Sequence, residues 1–319
     1  MRIVFFGSPE FALPSLDALL ESRHEVVAVV SQPDRPAGRG HAATPPPVKS
    51  AALSHRLQVL QPEQVSDPDS VEAIRALAPD AFVVAAYGQI LRQRLLDVPP
   101  RGILNVHASL LPRWRGASPV AAAILAGDDV TGVTLMQMVR ALDAGPMVAR
   151  VEVPITPHDT AGTLEPRLAQ AGARLLGETL DAWLSGELQA EPQDESLVTY
   201  APQIKRADAL LDWSLPAVGL WRQVRAYNPW PVAFTRWQGE ELRILEAWPV
   251  GLASGKAPGT VLPLAPLPPD AASDEETFSV QAGRGALAIR RLQRPGRRAV
   301  SGAEFLRGQR DLVGSRLGE

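Results

Sequence analysis

The chain has 319 residues, enough for one large domain or two ordinary ones, and its 45% hydrophobic and 21% charged residues are an ordinary globular balance. It contains no cysteine, which excludes disulfides, thiolate nucleophiles, iron–sulfur clusters and cysteine-ligated zinc. Its five histidines show no metal-ligand spacing, no apolar run is long enough to cross a membrane, and the formal net charge of −3 argues, at face value, against a nucleic-acid partner.

The first part of the chain alternates between strand and helix patterns. Short apolar runs rich in β-branched residues predict strands at Arg2–Phe6, Glu25–Ser31, Asp80–Tyr87, Gly102–His107, Val133–Val139 and Met147–Val153. Helical spacing is found over 13–20, Val71–Ala78, Pro119–Ala126 and Gly162–Ser185, and Ser8 is placed to N-cap the first of these helices. This alternation predicts an α/β domain over residues 1–186 with a doubly wound, mostly parallel sheet, which binds ligands at the carboxyl ends of its strands.

The chain changes character after residue 186. Residues 187–205 lose all periodicity, which predicts a linker. Residues 1–205 carry 17 basic and 23 acidic side chains, whereas residues 206–319 carry 15 basic and 12 acidic ones. A helix is predicted at Ala217–Arg225, short strands at Val232–Trp237, Leu242–Trp248, Thr277–Gln281 and Leu287–Leu292, and a surface loop over the proline-rich stretch 258–269. These patterns predict a second, smaller domain over residues 206–319, built as a small β-barrel.

The most informative segment runs from Asn105 to Gly116 and reads NVHASLLPRWRG. Strand alternation places Asn105 and His107 on one face at the carboxyl end of a predicted strand. An amide donor beside an imidazole suits the stabilisation of an oxyanion or the movement of a proton, although a single histidine at a strand end is more often a hydrogen-bonded structural residue. The Leu-Leu-Pro that follows is apolar where a loop is ordinarily polar.

A second candidate is Asp143, in the turn LDAGP at 142–146. It is either an ordinary aspartate of an Asx-turn or a carboxylate that orients and charges His107, and spacing does not decide between the two. The chain contains neither G-x-G-x-x-G nor G-x-S-x-G, which disfavours a dinucleotide cofactor and a serine hydrolase of the common type.

A third candidate is the loop at 32–49, which is rich in glycine and proline. Its cations Arg35, Arg39 and Lys49 suit contact with phosphate groups. Composition alone equally favours a solvated surface loop.

Taken together, seven segments resemble the family of methionyl-tRNA formyltransferases over nearly the whole chain. They are QPDRPAGRG at 32–40, VVAAYGQIL at 83–91, NVHASLLPRWRGASP at 105–119, TGVTLMQM at 131–138, LDAG at 142–145, DESLVTYAPQI at 194–204 and AYNPWP at 226–231. The N-H-SLLP-RWRG block marks folate-dependent formyltransferases in general, and the first and last segments narrow the resemblance to enzymes that formylate initiator methionyl-tRNA. The family's turn is usually G-L-D-T-G-D, and this chain, with Ala141 and Pro146 at its ends, keeps the carboxylate and the glycine after it.

The resemblance implies a Rossmann-like formyltransferase domain followed by an OB-like barrel that binds tRNA. It implies transfer of the formyl group of 10-formyltetrahydrofolate to the α-amino group of methionyl initiator tRNA, for translation initiation, with no metal needed. It also implies residue roles: catalytic, Asn105, His107 and Asp143; contact with the folate donor, Ser109, Leu110, Leu111 and Pro112; contact with tRNA, Arg35, Arg39 and Lys49. Eight arginines against the single acid Glu304 between Arg284 and Arg310 would add to the grip on tRNA.

Three other interpretations stay open. A sister formyltransferase could act on a small amine such as glycinamide ribonucleotide or an aminosugar nucleotide, and it would not need residues 206–319. A hydrolase could deformylate the folate with water, and a non-catalytic RNA-binding protein could keep the same fold. The N-terminal residues lack the pattern of a signal peptide, so we expect a cytoplasmic protein, and we expect a monomer.

Overall fold

The computed structural model of the chain describes residues 1–37, 42–252, 254–265, 267–268, 271, 276–309 and 311–318. The chain divides into two compact units. Unit 1 comprises residues 1–119, 130–154 and 165–202, and unit 2 comprises residues 120–129, 155–164 and 203–319. Residues 187–202, which the sequence predicts to be a linker, therefore group with unit 1.

Regular elements follow the predicted alternation in unit 1 and the predicted run of strands in unit 2. The helices are α1 (Leu13–Glu21), α2 (Pro47–Ser54), α3 (Pro68–Arg75), α4 (Gln93–Leu96), α5 (Pro119–Ala126), α6 (Ala161–Ser185), α7 (Ala217–Ala226) and α8 (Gly302–Arg307). The strands of unit 1 are β1 (Arg2–Gly7), β2 (Glu25–Val30), β3 (Arg35–Ala37), β4 (Ala42–Thr44), β5 (Val59–Leu60), β6 (Ala81–Ala85), β7 (Ile103–His107), β8 (Arg115–Gly116), β9 (Val130–Gln137), β10 (Met147–Pro154) and β11 (Tyr200–Ala201). The strands of unit 2 are β12 (Phe234–Trp237), β13 (Glu240–Val250), β14 (Val261–Ala265), β15 (Thr277–Gln281), β16 (Ala286–Gln293) and β17 (Val300–Ser301).

Unit 1 is built on a seven-stranded sheet in the order β10-β9-β7-β6-β1-β2-β5. The strands from β7 to β5 are parallel, and β9 and β10 continue the sheet in antiparallel pairing. Every residue of β6 and β7 is buried, as expected for strands whose two faces are both covered. The predicted doubly wound, mostly parallel sheet is confirmed, and the carboxyl ends of β7, β6, β1 and β2 lie along one edge.

The predicted N-cap at Ser8 is wrong. A short 3₁₀ turn over Glu10–Ala12 precedes α1, and its N-cap is Pro9. The Ser8 hydroxyl instead donates to the Tyr87 carbonyl and accepts from the Gln32 N–H, both at 3.1 Å. The serine therefore ties together the segments that follow β1, β2 and β6, because a long-range pair of hydrogen bonds satisfies the hydroxyl better than a local cap.

Unit 2 is built on an antiparallel sheet in the order β12-β13-β16-β15-β14, with β17 paired to β16. It confirms the predicted second, smaller domain of barrel type. The prediction of a surface loop over 258–269 is wrong in its middle, where β14 pairs with β15 at the sheet's edge. The pairing register shifts between Leu262 and Leu264, so Pro263 falls at an irregular position of an edge strand, where a missing N–H is tolerated.

Three of the five tryptophans in residues 213–248 are buried, whereas Trp230 is 62% exposed. Trp213, Trp237 and Trp248 are buried, and the first two belong to the core cluster of unit 2 together with Phe278 and Phe305. Large aromatic side chains supply much buried area in a small domain. Among the helices that the structure describes, none is both long and apolar enough to span a membrane.

Candidate active site

His107 ends β7 and is 6% exposed. Its Nε2 lies 3.0 Å from the carbonyl oxygen of Trp114, and its Nδ1 lies 3.8 Å from Oδ2 of Asp143. Because a carbonyl can only accept, Nε2 carries a proton in this contact. Nδ1 is therefore the ring nitrogen that faces the Asp143 carboxylate.

Asn105 lies two residues before His107 on the same strand and is buried. Strand alternation directs both side chains to one face of the sheet, as predicted. On the neighbouring strands, Asn105 is in register with Val84 of β6 and Met136 of β9. An amide and an imidazole thus stand side by side where β7 ends.

Asp143 lies in the turn between β9 and β10 with a φ of 45°, in the left-handed region. Its Oδ2 accepts a hydrogen bond of 2.8 Å from the N–H of Gly116, the second residue of β8. A Cβ atom at Gly145 would lie 1.7 Å from the carbonyl oxygen of Gln137, so this position of the turn requires glycine. The structure brings the Asp143 turn to His107, which spacing in the sequence could not decide.

Gln193 and Arg115 are the residues of this site that sequence reasoning missed. The Gln193 amide donates hydrogen bonds of 2.7 Å to the carbonyls of both Asp143 and Gly145. Its oxygen accepts from Nε and Nη2 of Arg115 at 3.0 and 2.8 Å, and Arg115 also pairs with Glu195 at 2.8 Å. The hydrogen bond from Arg115 holds the pKa of the Glu195 carboxyl below its usual range. Usable signals were the NVHASLLPRWRGASP block, which contains Arg115, and the DESLVTYAPQI segment, which begins one residue after Gln193 and lies in the predicted linker.

The predicted folate segment 109–112 forms a tight turn over β9. The Ser109 hydroxyl donates to the Arg113 carbonyl at 2.6 Å. Thr134 donates to the Ser109 carbonyl at 2.7 Å and accepts from the Leu111 N–H at 3.0 Å. Ser109, Leu111 and Pro112 are buried, and Leu110 is the partly exposed member of the segment. Its contact with a folate stays a prediction.

The predicted tRNA-contacting residues lie in ion pairs where the structure describes them, an exposed one for Arg35 and a partly buried one for Lys49. Lys49 lies 2.8 Å from both carboxylate oxygens of Asp34, and Arg35 lies 3.0 Å from Glu63. Hydrogen bonds from Gln61 and then from Lys49 lower the pKa of the Asp34 carboxyl. Arg39 lies outside the described residues. Part of the predicted loop at 32–49 forms β3 and β4, which pair with each other in antiparallel register.

The arginine-rich stretch of unit 2 lies on β16, α8 and the segments around them. Arg291 pairs with Glu246 at 3.5 Å and Arg298 with Glu304 at 3.6 Å, both in contact with solvent. Arg294 lies 3.5 Å from Glu240, but its guanidinium is partly buried over the rings of Trp237 and Phe305. Arg310 falls outside the described residues. In the described part of the chain, no group of three or more histidine, aspartate or glutamate residues is placed to hold a metal ion.

Comparisons with known proteins give matches along nearly the whole chain. The family described as formyl transferase matches residues 1–180, and the family described as formyl transferase, C-terminal domain, matches residues 203–310. Methionyl-tRNA formyltransferase of Chloroflexus aggregans is 47% identical over 308 residues, covering 97% of both chains. The enzyme of the same name from Methylobacillus flagellatus is 48% identical over 320 residues and covers both chains fully. Among solved structures, HypX from Aquifex aeolicus in complex with tetrahydrofolic acid aligns with a TM-score of 0.64 and 21% identity, over 98% of this chain and 48% of HypX, which shows likeness of fold.

Proposed function

The chain belongs to the methionyl-tRNA formyltransferase family and is a formyl-transferring enzyme, and from this premise we propose that it moves the formyl group of 10-formyltetrahydrofolate to the α-amino group of methionyl initiator tRNA. The observation that carries the proposal is the meeting of Asn105, His107 and Asp143 where β7 ends. Both formyl transferase families match, one in each part of the chain.

The attack of the amine on the formyl carbon places negative charge on the formyl oxygen. The Asn105 amide and the Nδ1–H of cationic His107 are the donors for that oxygen, because the other ring nitrogen of His107 is taken by the Trp114 carbonyl. A well-placed donor of this kind contributes about 3–4 kcal/mol to the transition state. The amide and the imidazole therefore stabilise the oxyanion together.

Asp143 has two functions in this scheme. Its carboxylate, 3.8 Å from Nδ1 of His107, lies beyond hydrogen-bond distance, so it leaves the Nδ1–H to the formyl oxygen and acts on the imidazole as a nearby negative charge. It also receives, directly or through a water molecule, the proton that leaves the attacking amine. The intermediate then collapses: the bond between the formyl carbon and N10 of the donor breaks, N10 takes up this proton, and tetrahydrofolate leaves. The buried Ser109–Thr134 contacts fix the turn that presents Leu110 to the apolar rings of the donor.

The acceptor tRNA would be held through its phosphates. Arg35 and Lys49 in unit 1, Arg39 between them, and the arginine-rich stretch of unit 2 supply the cations. The exposed ion pairs of Arg35 and Arg298 exchange partners at little cost, so these arginines can turn to phosphate when tRNA arrives. Lys49 would have to leave the partly buried carboxylate of Asp34. We further propose that the enzyme works as a cytoplasmic monomer. Light scattering during size-exclusion chromatography would test this by measuring whether the molar mass equals the 34.2 kDa of one chain.

The experiment that tests the function compares acceptors at a fixed concentration of 10-formyltetrahydrofolate. We expect formyl transfer to methionyl initiator tRNA and much slower transfer to free methionine, to a small aminosugar nucleotide or to water. Equal or faster transfer to a small amine would favour a sister formyltransferase and overturn the proposal. Release of formate without an acceptor would favour a hydrolase, and absence of any turnover with intact tRNA binding would favour a non-catalytic RNA-binding protein.

A further inference from the structure

Asp143 occupies a turn conformation that needs support from outside the turn. Its φ of 45° lies in the left-handed region, which is uncommon for a residue with a side chain. Residues 139–142, which lead into it, are exposed. The distance between the Asp143 carboxylate and His107 therefore depends on which groups hold the turn.

The Gln193 side chain supplies that support through an amide group whose hydrogen-bonding positions are all occupied. Both of its N–H groups donate to carbonyls of the turn, those of Asp143 and Gly145, at 2.7 Å. Both acceptor directions of its oxygen are taken by Arg115. An amide has two donors and two acceptor sites, so every one is used, and Gln193 is only 9% exposed.

These contacts close a ring around Asp143. The guanidinium of Arg115 holds Gln193, Gln193 holds the main chain of Asp143, and the residue after Arg115, Gly116, donates its N–H to the Asp143 carboxylate. Both the backbone and the side chain of Asp143 are thus tied to the two-residue strand β8. Glu195 completes the arrangement by neutralising Arg115, whose side chain is 3% exposed.

From this ring we infer that Gln193 is a positioning residue of the formyl transfer, which holds the Asp143 carboxylate at its working distance from His107. The inference rests on the proposed function, because it gives Asp143 a role in the reaction. Gln193 itself contacts no reacting atom: it acts through the turn. Removing it would let the carboxylate move relative to Nδ1 while leaving the substrate-binding segments in place.

The first test replaces Gln193 with a neutral side chain of similar length, Gln193→Met. A misplacement of about 1 Å in an active site costs on the order of 10²-fold in rate, so we expect kcat to fall by about that factor with KM for tRNA and folate little changed. A purely structural role would lower the amount of folded enzyme and leave kcat per folded molecule unchanged.

Two further variants serve as controls. Gln193→Glu keeps an acceptor for Arg115 but replaces the two donors with a carboxylate oxygen that faces the carbonyls of Asp143 and Gly145, so it should lower kcat as Gln193→Met does. Gln189→Met changes an exposed glutamine four residues upstream and should leave kcat as it is in the unmodified protein. Thermal unfolding of all variants separates loss of stability from loss of position.

A double-mutant cycle with Asp143→Asn decides the inference. If Gln193 acts through Asp143, Gln193→Met should cost far less in the Asp143→Asn background than in the unmodified enzyme, whereas independent effects multiply. Equal fold losses in both backgrounds would overturn the positioning role. The cycle can be run with whichever acceptor the unmodified enzyme uses best, so a failure of the proposed acceptor and a failure of this inference give different results.

Discussion

The polar groups around His107 are buried and hydrogen-bonded to one another, whereas Arg297 and Arg298, which follow β16, are exposed to solvent. Gln193 and Arg115 are buried, and every hydrogen bond between them and the Asp143 turn is 2.7 to 3.0 Å long. Arg298, in contrast, is 79% exposed and stands 3.6 Å from Glu304. One region holds its polar groups in a single arrangement, and the other leaves its charges in contact with water.

The difference follows from the cost of burial. A polar group removed from water must find partners, and leaving one unsatisfied costs about 1–3 kcal/mol, so a buried network has one good arrangement. An exposed ion pair contributes about 0–1 kcal/mol and is easily exchanged. The first region is suited to fixing the position of reacting groups, and the second is suited to binding a polyanion of variable shape.

The largest expected effect on kcat comes from removing the charge of Asp143 in the buried region. Asp143→Asn keeps the shape of the side chain and an oxygen for the Gly116 N–H, but it removes the charge beside His107. We expect kcat with saturating substrates to fall by about 10²–10⁴-fold, because the proton acceptor and the partner of the imidazolium are lost together. A kcat close to that of the unmodified enzyme would contradict the assigned role.

An intermediate effect is expected from the exposed region. Arg297→Gln and Arg298→Gln change exposed arginines between β16 and β17. Each should weaken tRNA binding modestly and reduce the slope of log K against log salt by about 1 if it contacts a phosphate. Binding measured over a range of salt concentrations checks this, with Arg75→Gln on α3 as the matched control. A tRNA affinity independent of salt would contradict the electrostatic account.

The smallest effect concerns the pairing of Asp34 with Gln61 and Lys49. These partners lower the pKa of the Asp34 carboxyl in the folded protein, so they stabilise it at neutral pH, and the contribution is lost as the pH falls through that lowered value. Asp34→Asn should therefore lower the unfolding temperature slightly at neutral pH. Well below the ordinary aspartate pKa of about 3.9, variant and unmodified protein should converge.

Asp69→Asn, an exposed acid of α3, is the control for this measurement. A loss of stability at Asp34 that persists unchanged into strong acid would point to packing instead of charge. The same variant also leaves Lys49 without its carboxylate, so a small gain in tRNA affinity would support the predicted contact of that lysine with phosphate.

The parts of the site that follow a local period could be predicted from the sequence. Alternation along β7 put Asn105 and His107 on one face, and the rule for parallel sheets put them at the ligand-binding edge. The hydrogen bonds of Gln193 reach 48 and 50 positions back to the Asp143 turn and 78 positions back to Arg115. A periodic pattern shows only which neighbouring residues share a face, so it cannot reveal hydrogen bonds over such distances in the sequence. Residues 187–205, which have no periodicity, are for that reason predicted to be a linker.

The strand β14 was missed for a related reason. Prolines in 258–269 favour a loop when each residue is judged by its own preference. Pairing with β15 overrides that preference. Because the register shifts at Pro263, the N–H that proline lacks is not needed for a hydrogen bond between the two strands. In both cases the tertiary partner, which is remote in the sequence, decided the outcome.

The ring around Asp143 also sets a limit on how the chain can be cut. The end of α6 at Ser185 is the obvious place to stop a fragment of the catalytic part. Such a fragment would lose Gln193 and Glu195, which would leave the guanidinium of Arg115 buried without its partners. A fragment that omits residues 203–319 but is meant to keep the active site should therefore extend at least to Pro202, the last residue of unit 1.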